Sequence, residues 1–561
     1  MNPTVADWLA ADPDAACRSE LAELVAQAAT DPAAAAELAD RFADRLRFGT
    51  AGLRGRMAAG PNRMNRAVVI RAAHGLMTYL KATVDQPVVV IGNDARYHSR
   101  DFAIDSAGVI TAAGGRALLL PDRVPTPLLA YAVRHFGADA GVMVTASHNP
   151  AADNGYKVYL GGRGLPDEQR GVQIVPPADA AIEAAIAAAP PANQIGRAAG
   201  WTDLGDEVMA SYLDAIVAGP APATAIRIVH TALHGVGSAP VLAALRRAGF
   251  SDVVPVPRQS QPDPDFPTVG FPNPEEPGAL DLAIELAAEV GADIVIASDP
   301  DADRCAAAVN DPRAGWRRLH GDEVGAILGE DAAGRIGVDP PTPPPILVSS
   351  IVSSRQLAMI AAAHGLAWRQ TLTGFKWMGR VPGLVYAYEE AIGYCVRPDV
   401  VRDKDGIATA LALARLVARL KAEGCGVIDL LDDLARRHGL YLSRQLAVRC
   451  DGEEAIQATM ARMRAAPPAQ LAGSPVVALA DLADGYDGLP PTDGLLFFTT
   501  AGDRVIVRPS GTEPKVKCYL EVIAPVAPNA GFAAVTAVRQ AAADRLALIE
   551  RDLRRDVFGE D

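Results

Sequence analysis

The sequence predicts an α/β protein of several domains, and three observations carry that expectation. The chain has 561 residues, enough for three or four cores at ~150 residues per domain. Short apolar runs of strand type alternate with helical stretches along most of it. Half of the residues are hydrophobic, only 5% are aromatic, and 50 Gly and 43 Pro punctuate the chain. That composition is globular and turn-rich, not coiled-coil or disordered.

Residues 5–46 read as helices. Trp8, Leu9, Leu21, Leu24 and Val25 recur at helical spacing, and Thr30-Asp31-Pro32 supplies a cap and a first-turn proline for an Ala-rich helix. Pro87–Gly92, Arg116–Leu120 and Gly141–Thr145 read as buried strands separated by helical stretches. The Ala/Pro-rich segment 176–200 closes this first unit as a helix and linker. A second unit begins at Ile226–Val229 and reaches Ile294–Ala297. The proline cluster 340–345 precedes a strand at Ile346–Val348, which opens a third unit running to about 440. The last 120 residues end in strands near 495–508 and 516–523 and a helix over 531–554.

Charge and cysteine usage exclude whole classes of function. The net charge of −14 disfavours non-specific nucleic-acid binding. No apolar run approaches the ~18 residues of a membrane span, and the acidic N-terminus lacks the pattern of a secretion signal. Six scattered cysteines form no CxxC pair, which points to a reducing cytoplasm. The cations are unevenly chosen, with seven Lys among 53 basic residues. Where Arg serves for ordinary charge, a Lys points to a need for a compact ammonium.

Five segments carry chemistry. Thr145-Ala146-Ser147-His148-Asn149-Pro150 follows a strand and presents a serine hydroxyl beside a histidine, with Lys157 close behind. A serine nucleophile needs such a partner, although a plain capped turn has the same residues. Asp299-Pro300-Asp301-Ala302-Asp303-Arg304 sets three carboxylates at alternate positions on a strand-end loop. They can converge on one hard cation and leave room for a phosphate oxygen, which suits Mg²⁺; a solvated acidic turn is the alternative. The order of ligands fits neither an EF-hand nor a D-x-D-x-T phosphatase loop. Arg508-Pro509-Ser510-Gly511-Thr512-Glu513-Pro514-Lys515 concentrates phosphate donors in one turn. Thr373-Gly374-Phe375-Lys376-Trp377 and Glu389-Glu390-Ala391-Ile392-Gly393-Tyr394, followed by Lys404, form a further group, in which Glu390 can accept bidentately from sugar hydroxyls; a surface carboxylate pair is the commoner explanation. Arg47–Gly55 is a Gly-rich loop whose Arg54 can approach an anion.

Together, and in this order, these motifs resemble the α-D-phosphohexomutase superfamily over roughly residues 40–550. Gly49–Gly55, His230–Gly237 and Phe271–Pro277 are similar to its phosphoglucomutase-2 and phosphopentomutase-like branch. The resemblance implies four domains around a central cleft: three α/β domains with mixed sheets and a smaller α+β domain. The expected divisions are a helical extension 1–45, then 46–205, 206–325, 326–445 and 446–561. It implies that Ser147 carries a phosphoryl group and shares one Mg²⁺ with Asp299, Asp301 and Asp303. Arg54 would neutralise the transferring group, with His148 and Lys157 handling protons or orienting. Arg304, Thr373, Gly374, Lys376, Glu390 and Lys404 would position the sugar, and Arg508, Ser510, Gly511, Thr512 and Lys515 would grip the phosphate that is not reacting. The implied reaction moves a phosphoryl group between O1 and O6 of hexose phosphates, or O1 and O5 of pentose phosphates, through a sugar bisphosphate. The partners are small sugar phosphates, with no nucleic acid and no membrane, and the protein is expected as a cytoplasmic monomer or weak homodimer.

Two rivals share parts of this pattern. A metal-dependent phosphatase would use Ser147 and the triad without the distant phosphate turn, and a phosphomannomutase would be specific for mannose phosphate. One departure bears on specificity. Many relatives carry Ser and His two and four residues after the sugar-binding Glu, where this chain has Ile392 and Tyr394. An apolar wall discriminates weakly between sugars, so the sequence predicts a permissive enzyme that accepts pentose and hexose phosphates.

Overall fold

The computed structural model describes residues 4–50, 52–162, 164–337, 340–450, 452–510 and 515–558. Among these residues the strands form four sheets, of seven, five, four and six strands, in chain order. The first has Ala140–Val144, Val88–Asn93, Arg116–Leu119 and Thr202–Asp203 parallel, with Asp153–Leu160 and Leu53–Arg56 added antiparallel at one side. Its central strands Val88–Asn93 and Ala140–Val144 are apolar and buried on both faces, as parallel strands between helices require. The second and third sheets are also mixed. Ile228–Thr231 pairs parallel with Ile294–Ser298 and Val253–Pro255, and Ile346–Ser350 pairs parallel with Ala367–Thr371 and Leu384–Glu389. The fourth sheet is antiparallel throughout.

The N-terminal helices Val5–Ala11, Ala15–Ala28 and Pro32–Ala43 form where the capping pattern places them. Asp31 caps the third by accepting from Ala33 N, with Pro32 in its first turn. They are anchored on the first domain: Trp8 and Leu21 share a core with Ile70, Val109 and Ile195, and Glu20 accepts from Ala59 N at 2.9 Å.

One apolar core runs through the first three domains, from Leu128 through Tyr212 and Leu245 to Leu411 and Leu434. Inside it, Tyr212 Oη donates to Asp405 Oδ1 at 2.7 Å, and Asp405 caps the helix Gly406–Ala422. The fourth domain has its own core and meets the third through Ile351 and Val352 against Leu496, Ile506 and Tyr519. Buried Arg504 adds donation to the Ile351 and Ser353 carbonyls. No described helix is long and apolar enough to cross a membrane.

The functional consequence lies in the strand ends. Ala140–Val144, Ile294–Ser298, Ala367–Thr371 and Leu384–Glu389 all deliver their carboxyl ends to one cleft of about 740 Å³. Arg508, Ser510, Lys515 and Lys517, on and beside the strands Arg504–Pro509 and Lys515–Ala524, line it from the fourth domain. Ligands of open α/β sheets bind at such carboxyl ends because the strand-to-helix loops there present backbone and side chains together.

Candidate active site

Ser147 sits just past its strand with φ at +51°, a left-handed backbone that costs energy for a residue with a side chain. The surroundings hold it there. Thr145 Oγ1 accepts Ser147 N at 2.9 Å, and buried Arg96 donates to the carbonyls of Ser147, Asn149, Pro150 and Asp153. The Ser147 hydroxyl donates to Asp299 Oδ2 at 2.7 Å and lies 3.2 Å from His148 Nδ1. Arg304 Nη1 is 2.7 Å from the same Nδ1. A guanidinium can only donate, so Nδ1 accepts and the imidazole proton is on Nε2. Burial, with the charges of Arg304 and Arg54, keeps His148 well below its usual pKa and therefore neutral. Arg54 completes this end of the cleft, donating to Asn149 Oδ1 at 3.0 Å.

Asp299, Asp301 and Asp303 are fully buried, and one carboxylate oxygen from each falls within 4.8 Å of the others. Thr126 and Lys157 donate to Asp301 Oδ2, both at 2.7 Å. Lys157 and Lys404 lie 3.0 and 3.2 Å from Asp303 Oδ2. Burial and the two neighbouring carboxylates push Asp299 well above the usual carboxylate range. At Asp301 and Asp303 burial acts the same way, but Lys157, joined at Asp303 by Lys404 and Arg304, outweighs it and holds both below that range. Asp301 Oδ1 and Asp303 Oδ1 have no hydrogen-bond partner though buried. Such orphaned anionic atoms are costly unless a cation completes them, so the donor set fits a hard divalent metal.

At the other end, Arg508 Nη1 donates to Thr373 Oγ1 at 2.8 Å, and Lys376 Nζ donates to Thr50 Oγ1 at 2.6 Å. Gly374, between Thr373 and Lys376, takes φ +104°. Ser510 N donates to the Lys515 carbonyl, and both residues line the cleft. Gly511 and Thr512 lie outside the described residues. The structure therefore gathers Arg54, Ser147, His148, Lys157, Arg304, Thr373, Gly374, Lys376, Lys404, Arg508, Ser510 and Lys515 in one cleft, with Asp303 at its wall.

The third-domain loop departs from the sequence reading. Ile392 and Tyr394, expected as an apolar wall, are fully buried. Ile392 belongs to the shared core, and Tyr394 Oη donates to the Gly321 carbonyl at 3.1 Å. Glu389 closes the strand and Gly393 opens the next, so Ile392 and Tyr394 point into the domain, and neither lines the cleft. Buried away from the cleft, these two residues form no wall against the sugar and confer no permissive specificity. Glu390 reaches the cleft, but its Oε2 accepts from Ser350 and Ser353 at 3.2 and 3.1 Å. Glu389 lines the cleft within the fields of Lys404 and Arg304 and accepts no hydrogen bond from a described side chain. Sequence reasoning missed Glu389, which the strand-end position signals, and Arg96, which has no local signal. It also missed Lys517, opposite Arg508 across the hairpin. With Lys517, five of the chain's seven lysines line this cleft, a bias already visible in the composition.

A four-domain α/β scaffold with a buried serine hydroxyl on a carboxylate triad, in a cleft also lined by Arg508, Lys515 and Lys517, defines a phosphoryl-transfer enzyme. Residues 45–191, 210–315 and 320–437 match alpha/beta/alpha domains I, II and III of phosphoglucomutase/phosphomannomutase, and residues 447–534 match its C-terminal domain. A probable phosphomannomutase of Haemophilus influenzae is 45% identical over 82% of this chain and 93% of its own length. A probable phosphoribomutase of Schizosaccharomyces pombe is 35% identical over 93% of both chains. A human phosphopentomutase is 33% identical over 94% and 92%. The fold recurs in the crystal structure of a putative phosphomannomutase from Thermus thermophilus, with TM-score 0.67, 24% identity and coverage of 90% of this chain and 99% of that one. The chain belongs to the phosphoglucomutase/phosphomannomutase family and is a phosphomutase, catalysing intramolecular phosphotransfer.

Proposed function

We propose that the enzyme interconverts sugar 1-phosphates with the corresponding 6-phosphates of hexoses, or 5-phosphates of pentoses, through phosphoserine at Ser147. The supporting observation is the pairing of two unlike ends in one cleft. Ser147 lies on the carboxylate triad at one end, and Arg508, Ser510 and Lys515 lie at the other.

In this reading Asp299, Asp301 and Asp303 hold Mg²⁺, which when bound supplies charge neutralisation to the phosphoryl oxygens. The bond from phosphorus to Ser147 Oγ breaks as a bond to a sugar hydroxyl oxygen forms, and the proton that hydroxyl loses is made up at the freed Ser147 Oγ, giving a sugar bisphosphate and a free serine hydroxyl. The bisphosphate turns over in the cleft, and its other phosphoryl group returns to Ser147. Arg54 and Arg304 neutralise charge on the group in flight. Lys157 stays charged between Asp301 and Asp303 and, with neutral His148, orients the serine loop. Glu389, with Lys404, takes the sugar hydroxyls, and Glu390 supports the loop from beneath. Thr373, Gly374 and Lys376 close the cradle of the idle phosphate around Arg508, Ser510 and Lys515. The reaction is placed in the cytoplasm, with the enzyme a monomer or weak homodimer.

A second reading, specificity for mannose phosphate, is favoured by the name of the relative at 45% identity. One assay tests both. Glucose, mannose, ribose, deoxyribose and glucosamine 1-phosphates are supplied with the matching bisphosphate, and isomerised and hydrolysed products are measured separately. Isomerisation of several sugars supports the broad reading, and isomerisation of mannose phosphate alone supports the second. Hydrolysis without isomerisation overturns both.

A further inference from the structure

Two sequence motifs, His230–Gly237 and Phe271–Pro277, have no role in the site described above, and the structure joins them. Thr231 Oγ1 donates to Gln259 Oε1 at 2.7 Å, and Gln259 Nε2 donates to Thr268 Oγ1 at 2.9 Å. His234 Nε2 lies 2.8 Å from the same Thr268 hydroxyl. Two residues on, Val236 N donates to the Pro300 carbonyl in the triad loop at 2.9 Å. A Cβ at Gly235 would come within 2.3 Å of Pro300 Cα, so only glycine permits this approach. One scaffold thus fixes both the triad loop and the stem of the segment that follows Thr268.

That segment turns on Asn273, whose Oδ1 accepts Glu275 N at 3.1 Å and whose carbonyl accepts Glu276 N at 3.0 Å. Its tip faces the cleft with Phe271, Asn273 and Glu275. The Phe271 ring lies 6.1 Å from that of His148, beside the serine loop. Neither Asn273 Nδ2 nor the Glu275 carboxylate has a hydrogen-bond partner among the described residues. The cation beside Glu275 is Arg318, with Nη1 at 3.9 Å, beyond hydrogen-bond reach. Glu275 lines the cleft together with Arg304, Glu390 and Tyr519.

We infer that the Phe271–Glu276 loop is the specificity wall of the enzyme: Glu275 and Asn273 hydrogen-bond a ring hydroxyl of the sugar while Phe271 packs on its apolar edge. This rests on the reading of the cleft as a sugar-phosphate site. A hexopyranose carries three hydroxyls between its two phosphorylation positions and a ribofuranose carries two. Glu389 serves one side of the ring from the third domain, and the loop serves the hydroxyl that the larger ring adds. A site built to pair a hydroxyl rejects the sugar that lacks it.

The test is a cycle of protein variants against deoxy sugars. Glu275→Gln and Asn273→Ala should each lower kcat/KM for glucose 1-phosphate roughly 10- to 100-fold and for ribose 1-phosphate less than about threefold. Wild type should lose activity on one of the 2-, 3- and 4-deoxyglucose 1-phosphates, and that loss should vanish in Glu275→Gln. An equal fall on both sugars, no fall on either, or no deoxy sugar coupled to Glu275 overturns the inference while leaving the mutase intact. Wild type that isomerises none of these sugars overturns the underlying reading, and the inference with it.

Discussion

Replacing Glu390 by Gln should make the protein more stable at pH 8 and leave it no more stable at pH 5. Burial, then the charges of Glu389 and Asp322, push the Glu390 carboxyl up to about 7 from 4.5. The folded protein therefore holds this proton more tightly than the unfolded chain does. Its contribution is full below about pH 4.5 and is lost as pH rises through 7. At 1.36 kcal/mol for each tenfold change in proton affinity, the interval corresponds to about 3 kcal/mol at most. Glutamine keeps the shape and never ionises. Its amide oxygen can accept from Ser350 and Ser353, and its NH₂ can face the field of Glu389 and Asp322. Four domains need not unfold as one unit, so the readout is the urea midpoint of the transition reported by Trp368 and Trp377, variant against wild type, at pH 5, 6.5 and 8. A difference that does not change with pH, or a variant less stable at pH 8, would refute the reasoning. The same pair of positions separates support from contact. Glu389→Gln should lower kcat/KM ~100-fold, in line with loss of a charged hydrogen bond, and Glu390→Gln by less than tenfold; the reverse order would reassign them.

Intact-mass analysis should find a phosphate adduct on the wild type that Ser147→Ala abolishes, with activity falling by orders of magnitude; an adduct persisting in the variant sinks the carrier assignment. Chelation should stop turnover and added Mg²⁺ restore it, and Asp301→Asn that is fully active without metal would rule out the triad as its site. Arg508→Ala, which also frees Thr373, should weaken use of 1-phosphate and 6-phosphate alike. Loss with only one isomer contradicts a cradle shared by both orientations.

The alternating strands at Val88–Asn93, Arg116–Leu119 and Ala140–Val144 were legible because parallel strands between helices are apolar throughout. The candidate site was legible where its residues are consecutive, as in the serine loop and the Asp loop, which the structure brings together. It was illegible where function depends on which way a side chain points. Glu389 and Glu390 are indistinguishable as letters, yet one ends a strand at the cleft and the other tucks under the loop against Ser350 and Ser353. Ile392 and Tyr394 follow by two and four residues and go inward, because the next strand begins between them and antiparallel pairing fixes its faces. Arg96 organises the serine loop from a distance in sequence that no local pattern reports.

The lysines explain how a chain of net charge −14 builds a site for doubly anionic substrates. The chain uses arginine almost everywhere, yet Lys157, Lys376, Lys404, Lys515 and Lys517 all face the cleft. A guanidinium binds through a planar fork that fixes its partner's orientation, whereas an ammonium is a compact charge with rotatable donors. Lys157 must serve Asp301 and Asp303 together, and Lys404 must reach Asp303 past Asp403, which a fork could not do in the same space. The proposed reaction adds a second demand, since the bisphosphate turns end for end and each cradle must accept either phosphate. Point charges tolerate that exchange. Arginines around the cleft also hold fixed protein partners: Arg96 on four loop carbonyls, Arg304 on His148 and Arg508 on Thr373.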